Sequence, residues 1–353
     1  MIINVVKIIV PAMAAFGIGI GITPILTHYL YKYKAWKKSP GKTALDGTVA
    51  VEFNKLHKDT EAKTPRMGGI VIWGSVCITA FILWVLPHLF LNGLTIKLDF
   101  TSRNQTWIPL FTLLVGSLVG LLNDFFDVTR ADDRGLHLRH RLIIVSAVAL
   151  FVGWWFYEKL GITAINIPFN GMLILGWLII PLFILISLAL YASGIIDGID
   201  GLSAGVFATI FAAYGSIAFV QHQYDLAAFC ATVVGGTLAF LWFNIPPARF
   251  YMTETGTMGI TITLAVIAFM TDSLGGGIGI AVLPIIAFPL VVTVLSAVIQ
   301  IIAKRYFKRK VFRVAPLHHH FEAIGWPSYK VTMRFWVIGI MFALIGSLIA
   351  FIG

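Results

Sequence analysis

Charge is what this chain has least of. Only 12% of its 353 residues are Asp, Glu, Lys or Arg, against 58% hydrophobic, and mean hydropathy is +0.89. That profile excludes an ordinary soluble domain. Acidic residues are the scarcer sign, 16 against 26 basic, which leaves a formal charge of +10. Cysteine is nearly missing: Cys77 and Cys230 both fall inside apolar runs. They read as small buried hydrophobes, which excludes a disulfide framework and a thiolate metal centre. No polar stretch is long enough for a separate soluble domain and no repeat of fixed period occurs, so residues 1–353 read as a single transmembrane unit.

What the chain has instead is apolar runs of about 20 residues, each long enough to cross a hydrocarbon core of roughly 30 Å. The expected fold class is all-α, a polytopic membrane bundle. Ten spans are placed near residues 5–26, 67–87, 107–124, 142–157, 174–195, 202–221, 225–243, 255–271, 278–303 and 331–352. The fourth is short and the eighth is polar at its start, so nine stays open. The first run, Val5–Leu26, has no convincing small-residue cleavage site and is expected to be a retained helix.

Basic residues orient the bundle. The loops after spans one, three, seven and nine hold 21 of the 26 Lys and Arg. By the positive-inside rule these loops are cytoplasmic, and both termini face out. The loop after span five then lies on the cytoplasmic side too. The positive charge is read as serving anionic membrane lipids or a phosphorylated substrate, with no nucleic-acid partner.

Polar clusters gather at those loops. Between spans five and six, Ile195-Ile196-Asp197-Gly198-Ile199-Asp200-Gly201-Leu202 puts Asp197 and Asp200 at the mouth of an apolar bundle. Carboxylates there are costly to bury, which suggests a site lining an aqueous cavity; a polar loop whose aspartates cap the next helix is the alternative. The first cytoplasmic loop ends in Pro65-Arg66-Met67-Gly68-Gly69, where the glycine pair permits close backbone approach to an anion or a neighbouring helix. Span three ends in Asn123-Asp124-Phe125-Phe126-Asp127, with Asp124 and Asp127 on neighbouring turns of one helix face.

The loop that follows mixes Asp132 and Asp133 with Arg130, Arg134, Arg139 and Arg141. It reads as a solvated, salt-bridged loop, with Arg141 near enough to the membrane edge to meet a phosphate. Asn244 closes span seven, and Tyr251-Met252-Thr253-Glu254 opens span eight. Glu254 there either complements the helix dipole or belongs to an anion and cation site at the helix start. The last cytoplasmic loop carries His318-His319-His320-Phe321-Glu322. Three adjacent histidines point in different directions and lack H-x₃-H spacing, so phosphate or sugar contact is favoured over zinc.

Asp124, Asp197, Asp200, Glu254 and His318–His320 are thus expected on one membrane face. Oxygen ligands without cysteine suit Mg²⁺ or Mn²⁺, and Mg²⁺ commonly takes one or two carboxylates plus substrate phosphates. Basic loops around a carboxylate and metal core suggest phosphoryl transfer, where catalysis is largely positioning and charge neutralisation.

In order and type these clusters resemble the polyprenyl-phosphate N-acetylhexosamine-1-phosphate transferase superfamily over nearly the whole chain. Pro316-Leu317-His318-His319-His320-Phe321-Glu322, continuing into Gly325-Trp326-Pro327, is similar to its muramoyl-pentapeptide branch. Leu241-Trp242-Phe243-Asn244 and Asp197-Gly198-Ile199-Asp200-Gly201-Leu202 also match. The resemblance implies a multi-pass enzyme of the bacterial cytoplasmic membrane, a homodimer. It implies Mg²⁺-dependent attack by undecaprenyl phosphate on UDP-MurNAc-pentapeptide, giving lipid I and UMP for peptidoglycan synthesis.

It also implies roles by position. Asp124 becomes a metal ligand or the base assisting the lipid phosphate, with Asn123 and Glu254 beside it as metal ligands. Asp197, Asp200, Asn244 and Tyr251 fall on nucleotide-binding positions, Arg141 on a basic position toward substrate, and His318, His319 and His320 on the loop near the reacting groups; Arg66, in the Pro65–Gly69 motif, is a further substrate-binding candidate. The chain departs from the family pattern at several of these. Asn123-Asp124 replaces paired aspartates, Glu254 replaces an aspartate, Arg66 replaces a threonine and Arg141 a lysine. A UDP-GlcNAc:polyprenyl-phosphate transferase and a catalytically silent scaffold of the same fold are the competing readings. A transporter is disfavoured because no inverted repeat is visible.

Overall fold

The computed structural model describes residues 2–38, 63–90, 92–101, 106–129 and 135–352. Among the described residues, ten helices are long and apolar enough to cross a membrane, as the ten-span reading expects. They are carried by α1 (Ile2–Lys32), α2 (Ile70–Leu89), α4 (Trp107–Thr129), α5 (Leu138–Glu158), α6 (Ile179–Ser193), α7 (Leu202–Val220), α8 (Tyr224–Asn244), α9 (Thr253–Phe269), α11 (Phe288–Phe307) and α13 (Ser328–Ile352). Three shorter helices complete the described set: α3 (Gly93–Leu98), α10 (Gly279–Ile286) and α12 (Leu317–Ala323).

The ninth span differs from expectation. A single helix over 278–303 is replaced by α10 and α11, parted at Ala287, whose φ of −93° and ψ of 25° leave the helical region. Pro289 opens α11 at its first turn, where a missing N–H costs nothing, whereas a continuous helix would have needed that donor. Two four-residue strands, β1 (Ala164–Ile167) and β2 (Gly171–Ile174), form a hairpin in the loop between α5 and α6 with Ala164 opposite Ile174. Asp272 anchors it: Oδ1 accepts the Asn166 amide at 2.9 Å and Oδ2 accepts that of Ile280 at 3.1 Å.

Helix α9 is the axis of the molecule. Its membrane window is 89% buried, against 17% for α1. Seven of its residues are threonines and glycines that let neighbours come close, and every residue from Thr255 to Phe269 is buried. Gly116 and Gly120 of α4 form the closest seam: a Cβ at Gly120 would sit 2.0 Å from the Glu254 carbonyl oxygen, and one at Gly116 2.8 Å from Gly259 Cα. This is a small-xxx-small face used inside the chain, and only glycine fits it. It presses the C-terminal end of α4, with its carboxylates, against the first turn of α9.

Candidate active site

The Pro65–Gly69 stretch is stitched to the start of α9. Tyr251 donates its amide to the Pro65 carbonyl at 2.8 Å, Gly68 returns a bond to the Tyr251 carbonyl at 2.8 Å, and Gly69 bonds Met252 at 3.2 Å. A Cβ on Gly69 would lie 2.3 Å from the Gly256 nitrogen. The glycine pair therefore serves approach to a neighbouring helix, one of the two uses open from sequence. Its effect is to set Arg66 over the end of α4.

Asp124 is the centre of the cluster and is fully buried. Its Oδ2 accepts the Thr255 amide at 2.8 Å, the Thr255 hydroxyl at 2.6 Å and the Thr253 hydroxyl. Oδ1 faces outward, 3.4 Å from Arg66 Nη2 and 3.5 Å from Asn123 Nδ2. The same Arg66 nitrogen lies 3.2 Å from Asp127 Oδ2. Asn123 has turned its amide oxygen to the loop, where it accepts the Leu136 amide at 2.8 Å. That leaves one lone pair for anything else, so the expected ligand is also a fastener of the segment that leads into α5.

Glu254 is held from two sides. Its Oε1 pairs with Arg141 Nη1, from the first turn of α5, and accepts the Tyr191 hydroxyl at 3.3 Å. Its Oε2 is buried with no hydrogen-bond partner. An orphaned carboxylate oxygen in a buried position is costly unless something fills it. The helix-dipole role is satisfied as well, since Glu254 lies in the first turn of α9.

Asp197 and Asp200 organise backbone. Asp197 Oδ2 accepts the Thr253 amide at 2.8 Å, and its Oδ1 accepts the Ser203 hydroxyl at 2.6 Å. Asp200 Oδ2 accepts the Ala248 amide at 3.0 Å. Asn244, only 2% exposed, accepts from Gly201 at 2.8 Å and donates to the Phe250 carbonyl at 2.9 Å. Asn244 thus ties the Asp197–Gly201 loop to the segment before α9. Tyr251 is half-buried beside them.

The histidines diverge as expected, though two of the three converge on one point. A Cβ on Gly198 would lie 2.6 Å from His319 Nε2 and 2.7 Å from His318 Nε2, so both rings pack on the Asp197–Asp200 loop. His320 turns the other way, its Nδ1 accepting the Arg313 amide at 3.2 Å. His319 Nδ1 meets Glu322 Oε2 at 2.7 Å, and Ser328 donates to Glu322 Oε1 at 2.6 Å.

The fold therefore draws Arg66, Asn123, Asp124, Asp127, Arg141 and Glu254 into one cluster. Asp197, Asp200, Asn244 and Tyr251 stand beside it, with His318 and His319 beyond the Asp197 loop; His320 faces away. Arg130, Asp132, Asp133 and Arg134 lie outside the described residues. Thr253, Thr255, Tyr191 and Ser203 position the site without having been singled out, and Glu322, quoted beside the histidines, orients His319.

Among the described residues no three His, Cys, Asp or Glu side chains form a complete metal cage. By donor chemistry the residues fit Mg²⁺: hard oxygens, an outward Asp124 Oδ1, and a buried Glu254 Oε2 in need of a partner. Mg²⁺ characteristically fills its remaining positions with water and substrate phosphate.

Comparison with known proteins places the chain in a family. The glycosyl transferase family 4 profile matches residues 106–272. The phospho-N-acetylmuramoyl-pentapeptide-transferase of Geobacillus sp. strain WCH70 is 35% identical over 85% of this chain and 87% of its own. Those of Geobacillus thermodenitrificans and Bacillus thuringiensis are 33% and 32% identical over 96% of the chain, covering 97% and 96% of theirs. With such similarity sustained from end to end, the chain belongs to the phospho-N-acetylmuramoyl-pentapeptide-transferase family.

Proposed function

We propose that this protein transfers the phospho-MurNAc-pentapeptide unit of UDP-MurNAc-pentapeptide to undecaprenyl phosphate at the bacterial cytoplasmic membrane, with Mg²⁺, forming lipid I and releasing UMP. An oxygen of the lipid phosphate forms a bond to the sugar-linked phosphorus as the bond to the UMP oxygen breaks, and UMP leaves with that electron pair. The observation that carries the reading is the pairing of a buried Asp124 with a Glu254 whose Oε2 has no partner, ringed by Arg66 and Arg141.

Asp124 Oδ1 and Glu254 Oε2 are the oxygens that would hold Mg²⁺, with Asn123 and Asp127 adjacent. Bound there, Mg²⁺ would supply neutralisation of phosphate charge. Arg66 and Arg141 bring two guanidinium forks of the kind that bind phosphate oxygens bidentately. The Asp197–Asp200 loop and His318–His319 form the wall where the nucleotide donor is expected. A homodimer is expected on the same family grounds.

The test uses purified protein in detergent with UDP-MurNAc-pentapeptide, undecaprenyl phosphate and Mg²⁺ or Mn²⁺, with release of UMP measured. UDP-GlcNAc serves as the competing donor. UMP release from the muramoyl donor alone is the expected outcome. Release from UDP-GlcNAc alone would assign the other branch, and release from neither with either metal would leave a silent scaffold.

A further inference from the structure

The carboxylates best placed to hold a cation are already occupied by side-chain cations. Arg66 Nη2 lies 3.4 Å from Asp124 Oδ1 and 3.2 Å from Asp127 Oδ2. Charge-assisted N–H to carboxylate bonds settle near 2.7–2.9 Å, so this guanidinium nitrogen spans two carboxylates without closing on either. The remaining oxygen of Asp124 is saturated by Thr253 and Thr255. Oδ1 is therefore the oxygen free to change partners, and Arg66 is what it would exchange.

The backbone beneath Arg66 is fixed. Its amide bonds the Ala35 carbonyl at 2.7 Å, and the next amide, that of Met67, bonds Thr253 Oγ1 at 3.2 Å. Only the side chain can move. Its reach over a cluster built for phosphate transfer gives it an obvious second partner, a phosphate oxygen.

We propose that Arg66 is a resident counter-cation of Asp124 and Asp127 that is handed to a substrate phosphate when a divalent cation takes the carboxylates. The inference rests on the proposed function only in requiring a phosphate-bearing substrate. Its physical content is linkage. A cation entering without phosphate must break the Arg66 contacts with Asp124 and Asp127, which carries an electrostatic penalty. A phosphate that accepts Arg66 removes that penalty, so each ligand tightens the other by the same factor. Arg66 thereby makes cation and nucleotide bind together, and it spares the protein a buried pair of uncompensated carboxylates when both are absent.

Mn²⁺ binding to the purified full-length protein, followed by electron paramagnetic resonance with and without UMP, tests this without turnover. Mn²⁺ held by free UMP is subtracted. In the wild type, UMP is expected to tighten Mn²⁺ binding about tenfold or more, the scale on which an adjacent opposite charge acts on a carboxylate. Arg66→Gln is expected to bind Mn²⁺ about tenfold tighter than wild type without UMP and to lose most of the UMP effect. Arg66→Lys, which keeps the charge, is expected to remain close to wild type. Equal Mn²⁺ affinity in wild type and Arg66→Gln overturns the proposal, as does no Mn²⁺ binding to either. If Arg66→Gln does not fold, a wild-type Mn²⁺ affinity indifferent to UMP overturns it equally. None of these outcomes bears on the transferase reading, which stands or falls on UMP release.

Discussion

Thr253 donates its amide to Asp197 Oδ2 at 2.8 Å and its hydroxyl to Asp124 Oδ2, so one residue joins the two acidic loops of the site. It does so with φ at +55°, a left-handed conformation that a β-branched side chain rarely adopts. The surrounding bonds, including the Met67 amide on its Oγ1 at 3.2 Å, hold it there. Thr253→Val keeps the shape and removes the hydroxyl. It is expected to lower turnover by roughly tenfold or more, because Asp124 loses a charge-assisted bond of about 1.5–3 kcal/mol. Thr253→Ser should retain most activity. Similar rates of UMP release from the two variants would show that the hydroxyl does not orient Asp124.

Glu254 carries the orphaned oxygen. Glu254→Gln is nearly isosteric, preserves an acceptor for Arg141 and Tyr191, and removes the negative charge. Turnover is expected to fall about 10²–10³-fold, the scale of losing one electrostatic stabiliser at a reacting centre. Melting temperature should change little. Near-normal UMP release would exclude Glu254 as a ligand.

Asn123 stands where the family pattern has an aspartate, yet restoring the carboxylate is not expected to help. The side chain oxygen already receives Leu136, and its Nδ2 faces Asp124 Oδ1 at 3.5 Å. Asn123→Asp would turn that donor into an anion directly beside another. No gain in UMP release is expected at any Mg²⁺ concentration. A large gain would mean the wild-type site is impaired and not tuned around the amide.

The three histidines should separate in kinetics. His320 bonds Arg313 and packs against Phe312 at 5.4 Å between ring centroids, so His320→Ala is expected to be mild. His319 is aimed at the Asp197 loop by Glu322, and Glu322→Gln loosens that aim. Small misplacements of a catalytic group cost up to about 10²-fold, so Glu322→Gln should reproduce a good part of the His319→Ala defect. If Glu322→Gln is silent while His319→Ala is severe, the orienting role is wrong.

Ten spans and the one-sided clustering of polar groups were legible because length and hydropathy suffice to find a span, and scarce charges stand out in an apolar chain. The break at Ala287 was not, since Pro284 and Pro289 sit in an unbroken apolar run that reads as one helix. The hairpin at Ala164–Ile174 was missed because four-residue strands carry too little alternation to separate from a loop. Asp124, Glu254 and His319 could be picked out by type. Thr253 and Thr255 could not, because a threonine in a membrane span is ordinary and its partner is 129 or 131 residues away. The Gly116 and Gly120 seam was not singled out, because its partner, the Glu254 and Gly259 backbone, needed coordinates.

Orientation is checked by labelling. Lys310, in the basic loop after α11, and Met172, 72% exposed in the hairpin, lie on opposite sides by charge distribution. Cysteine at 310 should react with an impermeant maleimide only in inverted vesicles, and cysteine at 172 only in intact cells. Reaction of both from one side would overturn the assignment of the site to the cytoplasm.

The burial of α9 has a practical consequence for handling the protein. Lipid and detergent exchange at the rim, where α1 and α13 have membrane windows only 17% and 28% buried, while the helix bearing Glu254 meets protein along almost its whole length. Cation affinity measured in micelles should therefore match that in bilayers of differing thickness. Attachment of the long isoprenoid chain, which must travel through the surrounding solvent, should not.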